Sequence, residues 1–223
     1  MLVVENELLV RFLRLDSAAV SDALDGLGLP SGFGGIVPMW ECPRVVGFAA
    51  TVQLAPVTAG AWVASHITTT AVAAAGPTDV LVVANAGRTD VSCWGGLLSL
   101  GAIRRGIRGV IADGACRDVR EARDLRFPVF ARAASPRTAR DRLAQVSAGE
   151  PVRLQDVSVA AGDIVVADET GLAFVPRRRC EEVLVAAEHV VEREDAIAAD
   201  LRAGSPLPRA MRNARLAGVR DRS

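Results

Sequence analysis

Apolar residues recur three and four apart from the start of the chain to about Leu15, the spacing of one helix face. LDSAAVSDALDGLGLP keeps that period. Asp16 or Ser17 can cap a second helix, which Gly28 and Pro30 bring to an end. SGFGGIVPMW is a glycine-rich loop, and RVVGFAATVQLAPV reads as a strand broken at Pro56. AWVASHITTTAVAAAG has helical spacing despite its threonines, and DVLVVANAG is a short buried strand.

The middle third is the most regular. CWGGLLSLGAIRRGIRG predicts a helix opening at Gly95-Gly96, with Leu97, Leu98, Ala102 and Ile103 available for an apolar face. GVIADG is continuously apolar, as in a strand buried on both sides. RDVREARDLRF is a short charged helix and PVFARAA another strand, so the rhythm predicts a parallel or mixed sheet covered by helices. PVRLQDVSVAAGDIVVADETGLAFVP then alternates, with breaks at 161–163 and 168–171 that predict antiparallel hairpins. From Arg177 the pattern is one long amphipathic helix to Gly204, with a solvated charged face and a basic, proline-containing tail beyond it. With no internal repeat and no long linker, the chain reads as one domain over 1–223.

Composition narrows the chemistry. Half of the 223 residues are hydrophobic, enough for a substantial core, and the formal net charge is zero. No like-charge run suggests a nucleic-acid or membrane surface, and no apolar run reaches the roughly 20 residues of a membrane span. The start lacks the basic end and cleavage site of a signal peptide, so a cytoplasmic location is expected. All 26 basic residues are Arg. With no lysine amine there can be no Schiff base and no P-loop lysine, and with no Tyr there is no phenolic acid. His66 and His189 stand far apart and read as structural. Cys42, Cys93, Cys116 and Cys180 form no C-x-x-C pair and read as reduced, partly buried thiols, Cys116 as a small filler.

Two short stretches carry candidate chemistry. A helix that opens on Gly95-Gly96-Leu97-Leu98 presents first-turn N–H groups with no partner inside the helix, a cradle for a carboxylate or phosphate. The alternative is a helix start packed close to a strand. DGACRD then sets Arg117 and Asp118 beyond the next strand, where open α/β sheets place their ligands. Arg117 offers a planar fork for a carboxylate, and Asp118 a hard oxygen for Mg²⁺ or Mn²⁺. The alternative is that Asp118 caps the following helix while Arg117 is a surface charge. With a 2-oxo acid bound, Arg117 and the helix N–H groups could hold its carboxylate while a metal on Asp118 polarised the carbonyl. Without lysine, aldol chemistry has only this metal route.

VSDALDGLG, TDVLVV, WGGLLSLGAIRRGIRGVIADGACRDVREARDLRFPVFAR and VAAGDIVVADETGLAFVP, in that order over most of the chain, resemble one family. It includes the 4-hydroxy-4-methyl-2-oxoglutarate (HMG)/4-carboxy-4-hydroxy-2-oxoadipate aldolases and the regulator of ribonuclease activity A. The resemblance implies an α/β fold: a swivelling β/β/α domain with a central mixed sheet flanked by helices. It implies homotrimers or homohexamers with sites at subunit interfaces, the segment 177–223 packing on a neighbour. Arg117 would bind substrate, Asp118 would ligate the divalent metal, and Gly95, Gly96, Leu97 and Leu98 would hold the pyruvate moiety. The implied activity is a class II-type retro-aldol cleavage of a 2-oxo acid with oxaloacetate decarboxylation, through a pyruvate enolate. A non-catalytic regulator binding ribonuclease E, or a relative repurposed for another reaction, is the alternative.

One departure stands out. The family's aldolases carry an acid at the second position of glycine-x-leucine-leucine, where this chain has Gly96. Asp113, Asp90 or a neighbour's carboxylate could replace it, and Asp22 could approach across an interface.

Overall fold

The structure, a computed structural model, describes residues 2–57 and 66–212. Helices α1 (Leu2–Phe12) and α2 (Ser17–Gly26) come first. Asp16 is the cap of α2, its carboxylate accepting from the Ala19 N–H at 2.8 Å. A two-residue strand, β1 (Val37–Pro38), interrupts the glycine-rich loop.

The body of the sheet follows. Strands β2 (Val45–Pro56), β3 (Asp79–Trp94), β4 (Val110–Cys116) and β5 (Val129–Ala134) lie side by side in chain order, all parallel. The connecting helices are α3 (Thr69–Ala74), α4 (Gly96–Arg104) and α5 (Val119–Asp124). The helix expected over residues 61–76 is thus reduced to α3, and its residues 61–65 lie outside the described ones. β3 is longer than its sequence pattern suggested. It runs 16 residues, and between Ala84 and Trp94 its register against β4 slips three times, with left-handed backbone at Ala86 and Gly87. The slippage carries β3 on until Trp94 stands opposite Cys116, so both chains leave the sheet at one place.

Strand β6 (Leu143–Ala148), which the sequence pattern had not signalled, runs antiparallel to the second half of β2. β7 (Val152–Leu154) and β8 (Val157–Val159) form a separate hairpin. β9 (Ile164–Ala167) and β10 (Leu172–Val175) form the second expected hairpin, turning at 168–171. The break at 161–163 therefore joins two different sheets rather than two strands of one. β9 adds antiparallel to the first half of β2, giving a mixed main sheet in the order β1-β5-β4-β3-β2-β9-β10. A single 3₁₀ turn leads into α6 (Cys180–Arg202), and α7 (Leu207–Ala210) follows.

The sheet is flanked on both faces. Leu81, Val83, Ala112 and Val129 face α3, α4 and α5 through Val72, Leu98, Ala102 and Ala122. Val80, Val82, Ile111 and Phe130 meet the β7–β8 hairpin through Val152, Leu154, Val157 and Val159. Beyond the β9–β10 edge, Val183, Leu184 and Ala187 of α6 pack on Leu9, Phe12, Val20 and Leu24 of α1 and α2. The apolar face of α6 is thus occupied within its own chain, which leaves its outer face for any neighbour. Residues 213–223 of the tail lie outside the described residues. Among the described residues no helix is long and apolar enough to cross a membrane.

Candidate active site

Two neighbouring parallel strands end together, and each hands directly to a helix. β3 ends at Trp94 and α4 begins at Gly96; β4 ends at Cys116 and α5 begins at Val119. The Arg117 N–H donates to the Trp94 carbonyl at 3.0 Å, which ties the two turns into one unit. This is the carboxyl edge of the sheet, where α/β proteins bind small molecules. The structure brings together Gly95, Gly96, Leu97, Leu98, Arg117 and Asp118.

Asp118 does not cap α5. It occupies the cap position, but its backbone is left-handed (φ 58°, ψ 38°) and its side chain makes no capping hydrogen bond. Such a conformation is uncommon for a non-glycine residue and marks a constrained place. The side chain turns instead toward α4: Oδ2 accepts from the Gly96 N–H at 3.0 Å and lies 3.2 Å from Arg117 Nε. A carboxylate is well placed there, because the first turn of a helix carries free N–H groups and partial positive charge. The N–H groups of Leu97 and Leu98 stand in that same turn.

Space is tight at both glycines, at Gly96 only against the far end of one flexible side chain. At Gly95 a Cβ would come within 3.0 Å of Asp118 Oδ2 and 3.1 Å of Arg117 Nε. At Gly96 a Cβ would fall on the carboxylate of Glu121. Glu121 sits in the first turn of α5, one helical turn beyond Asp118, and reaches back over Gly96. Position 96 carries no acid, yet a carboxylate stands where its side chain would begin. The i,i+3 spacing of Asp118 and Glu121 was the signal available in the sequence.

Asp113, Asp90 and Asp22 lie elsewhere. Asp113 is buried on the opposite face of the sheet, accepting from Arg132 Nε at 2.6 Å and from the Gly87 N–H at 3.2 Å. Asp90 is exposed and paired with Arg88 at 2.9 Å and Arg137 at 3.7 Å. Asp22 lines a separate cleft with Ser17, Ser21 and Phe33.

Arg117 separates two cavities. One, with Asp118, Val119, Ala134, Ser135 and Pro136, is open and holds the carboxylate end of the site. The other, of about 270 Å³, lies between α3 and α4, with Trp94, Leu97 and Leu98 in its wall. His66, read from sequence as structural, is exposed in that wall. Cys116 is buried directly before Arg117, and burial pushes its thiol up to about 11; Cys93 behind it is pushed up to about 12 by burial and by Cys116. Neither is a thiolate nucleophile at neutral pH. Among the described residues no three His, Cys, Asp or Glu side chains gather as a metal cluster.

A mixed sheet with a paired arginine and carboxylate at its carboxyl edge is the arrangement in which α/β proteins commonly build small-molecule sites. The RraA-like family model, described as Aldolase/RraA, matches residues 17–174, and the chain belongs to that family. It is 30% identical over 203 residues to protein DlpA of Legionella pneumophila, matching 91% of this chain but spanning only 33% of DlpA's length. It is 34% identical over 185 residues to a Halalkalibacterium halodurans protein provisionally named 4-hydroxy-4-methyl-2-oxoglutarate aldolase, with 81% of each chain covered. Streptomyces coelicolor RraAS2, described as an unusual member of the RNase ES inhibitor RraA family, superposes with a TM-score of 0.79 at 27% identity. That match covers 88% of this chain and 98% of RraAS2.

Proposed function

We propose that this protein is a divalent-metal-dependent carbon–carbon lyase that cleaves a 4-hydroxy-2-oxo acid to pyruvate and decarboxylates oxaloacetate. The observation that carries the reading is the meeting of Arg117, Asp118 and Glu121 at the N-terminus of α4. Arg117 and the N–H groups of Leu97 and Leu98 would hold the substrate carboxylate. Asp118 and Glu121 are hard oxygen donors, and they fit Mg²⁺ or Mn²⁺, which keep several waters and take one or two protein carboxylates. Such a cation supplies positive charge to the developing enolate oxygen when bound. Glu121 takes the place of the acid missing at Gly96 and is the group positioned to move a proton. In the cleavage the C4 hydroxyl gives up its proton and the C3–C4 bond breaks. Its electron pair passes to C3, leaving a pyruvate enolate that is protonated there, while the C4 fragment departs as an aldehyde or ketone.

The whole of residues 1–223 would act as one RraA-like domain in the cytoplasm, assembled as a homotrimer or homohexamer with sites at subunit interfaces. Leu97 supports this: it is 80% exposed beside the site, with Leu100 and Ile103 exposed further along α4. The outer face of α6 and the segment after it would also meet a neighbour. Neither nucleic acid nor membrane enters the reading. A non-catalytic regulator of a ribonuclease is the second reading, supported by the likeness to RraAS2; metal-dependent turnover would favour the enzyme, and stable ribonuclease binding without turnover the regulator. Pyruvate release from HMG and oxaloacetate with Mg²⁺ or Mn²⁺, and its loss with EDTA or in Asp118→Ala, tests the proposal. Turnover unaffected by either would sink it.

A further inference from the structure

We infer that Ser135 is a positioning residue of this site: its hydroxyl hydrogen-bonds a water of the cation held by Asp118 and Glu121, and so helps to hold that cation. The inference rests on the metal-dependent reading above and adds a residue that acts through water rather than by direct contact.

The chain fixes Ser135 from both sides. It follows the last residue of β5, and its N–H donates to the Cys116 carbonyl at 2.8 Å, one residue before Arg117. Pro136 restricts its backbone to extended conformations. Two residues on, the Arg137 carbonyl accepts from both the N–H and the hydroxyl of Ser92, at 2.9 and 2.8 Å. Between these anchors Ser135 lines the open cavity of Arg117, Asp118 and Val119.

The hydroxyl itself is loosely engaged. Its two protein contacts, to the Asp90 carbonyl and from the Arg137 N–H, are both 3.4 Å, against about 2.7 to 2.8 Å for an ordinary O–H···O bond. Other hydroxyls of the chain are closed off: Ser17 on Asp168 at 2.7 Å, Thr51 on the Glu150 carbonyl at 2.7 Å, Ser92 on the Arg137 carbonyl at 2.8 Å. Ser135 is half-buried, so a firmly placed hydroxyl with little to lose shares the cavity of Asp118. That carboxylate has an opening to match. The Gly96 N–H and Arg117 Nε both meet Oδ2, and among the described residues no protein donor meets Oδ1.

Mg²⁺ or Mn²⁺ on one or two protein carboxylates keeps several waters. Groups outside the ligand shell orient what the cation holds, and their loss costs about 10- to 100-fold in affinity or activity. A serine hydroxyl can accept from such a water as well as donate to it. Val119, Ala134 and Pro136, which complete the wall, have no polar side chain, so the task falls to Ser135.

Binding of Mn²⁺ to the full-length protein, followed through the EPR signal of the free ion, reads this without any substrate. Ser135→Ala is expected to weaken Mn²⁺ at least about tenfold, and Ser135→Thr, which keeps the hydroxyl, to stay within about threefold of wild type. The urea midpoints of both variants should match wild type. Calorimetry with oxalate, a stable analogue of the pyruvate enolate, on the Mn²⁺-loaded protein shows whether the hydroxyl serves the anion instead. Equal Mn²⁺ affinity in wild type and Ser135→Ala overturns the inference, as does a loss confined to oxalate. In either case the metal reading stands if Asp118→Ala abolishes binding. A loss that threonine does not restore, or one accompanied by a lower urea midpoint, gives Ser135 a packing role and also overturns it. No Mn²⁺ binding by the wild type overturns both readings.

Discussion

Glu121→Gln isolates the carboxylate that stands over Gly96. The amide keeps the shape of the side chain and fills the same space, and Glu121 is exposed, so stability should change by no more than about 0.5 kcal/mol. Activity should not survive so well. A positioned acid–base group contributes about 10²- to 10⁴-fold, or about 3 to 5 kcal/mol of barrier. Pyruvate release, coupled to lactate dehydrogenase and followed through NADH at saturating Mg²⁺, should show that fall in kcat with KM little changed. The geometry also predicts a rescue. Because a Cβ at position 96 would fall on the Glu121 carboxylate, Glu121→Ala vacates the volume that Gly96→Asp would enter. The double variant should therefore be at least about tenfold faster than Glu121→Ala alone. Gly96→Asp in the wild-type background should slow the enzyme, since two like charges in contact repel by about 1 kcal/mol even in water. Glu121→Gln within about threefold of wild-type kcat would refute the assignment, and Asp118 would then have to act without this partner.

Three further predictions concern the frame around the site. Burial raises the Asp168 carboxyl, but hydrogen bonds from the Ser17 hydroxyl and N–H and from the Thr170 and Gly171 N–H groups outweigh it and hold the group below the ordinary carboxylate value. Its stabilisation is therefore present above about pH 4 and lost as pH falls through the depressed folded value; urea midpoints from pH 6 to 2 should fall less steeply in Asp168→Asn. Arg132→Ala leaves the buried Asp113 carboxylate with the Gly87 N–H and no cation, at a cost of about 3 kcal/mol; a chemical denaturation shift below 1 kcal/mol would show the pair to be dispensable. Cys93 and Cys116, with thiols pushed up to about 12 and about 11, should resist iodoacetamide at pH 8 in the folded protein and react on unfolding, as mass spectrometry of the labelled peptides can show.

The parallel half of the fold could be read from the sequence because each of its signals is local. Val110–Ala112 is apolar throughout, Gly95-Gly96 opens a helix, and Arg117 and Asp118 follow the strand, so a period and a punctuation mark suffice. The hidden parts depend on distance. Nothing local in DVLVVANAG says that β3 passes Gly87 and slips against β4 until Trp94 meets Cys116. β6 was missed because LAQVSA is half polar and is a strand only when β2 is beside it. Glu121 was missed for a different reason. Its role depends on which side chain falls beside the bare Cα of Gly96, and that proximity exists only once α4 and α5 are side by side.

The placement of β2 has a consequence for synthesis on the ribosome. β2 is an apolar 12-residue strand whose first edge is satisfied by β3, available once residue 84 is made. Its other edge waits for β6 and β9, which end at residues 148 and 167. For some sixty to eighty residues of elongation the nascent chain would therefore display an open edge of Val, Phe, Ala and Leu, the kind that recruits other strands. Chains truncated between β5 and β6 should be aggregation-prone, and chains released just after β10 should not.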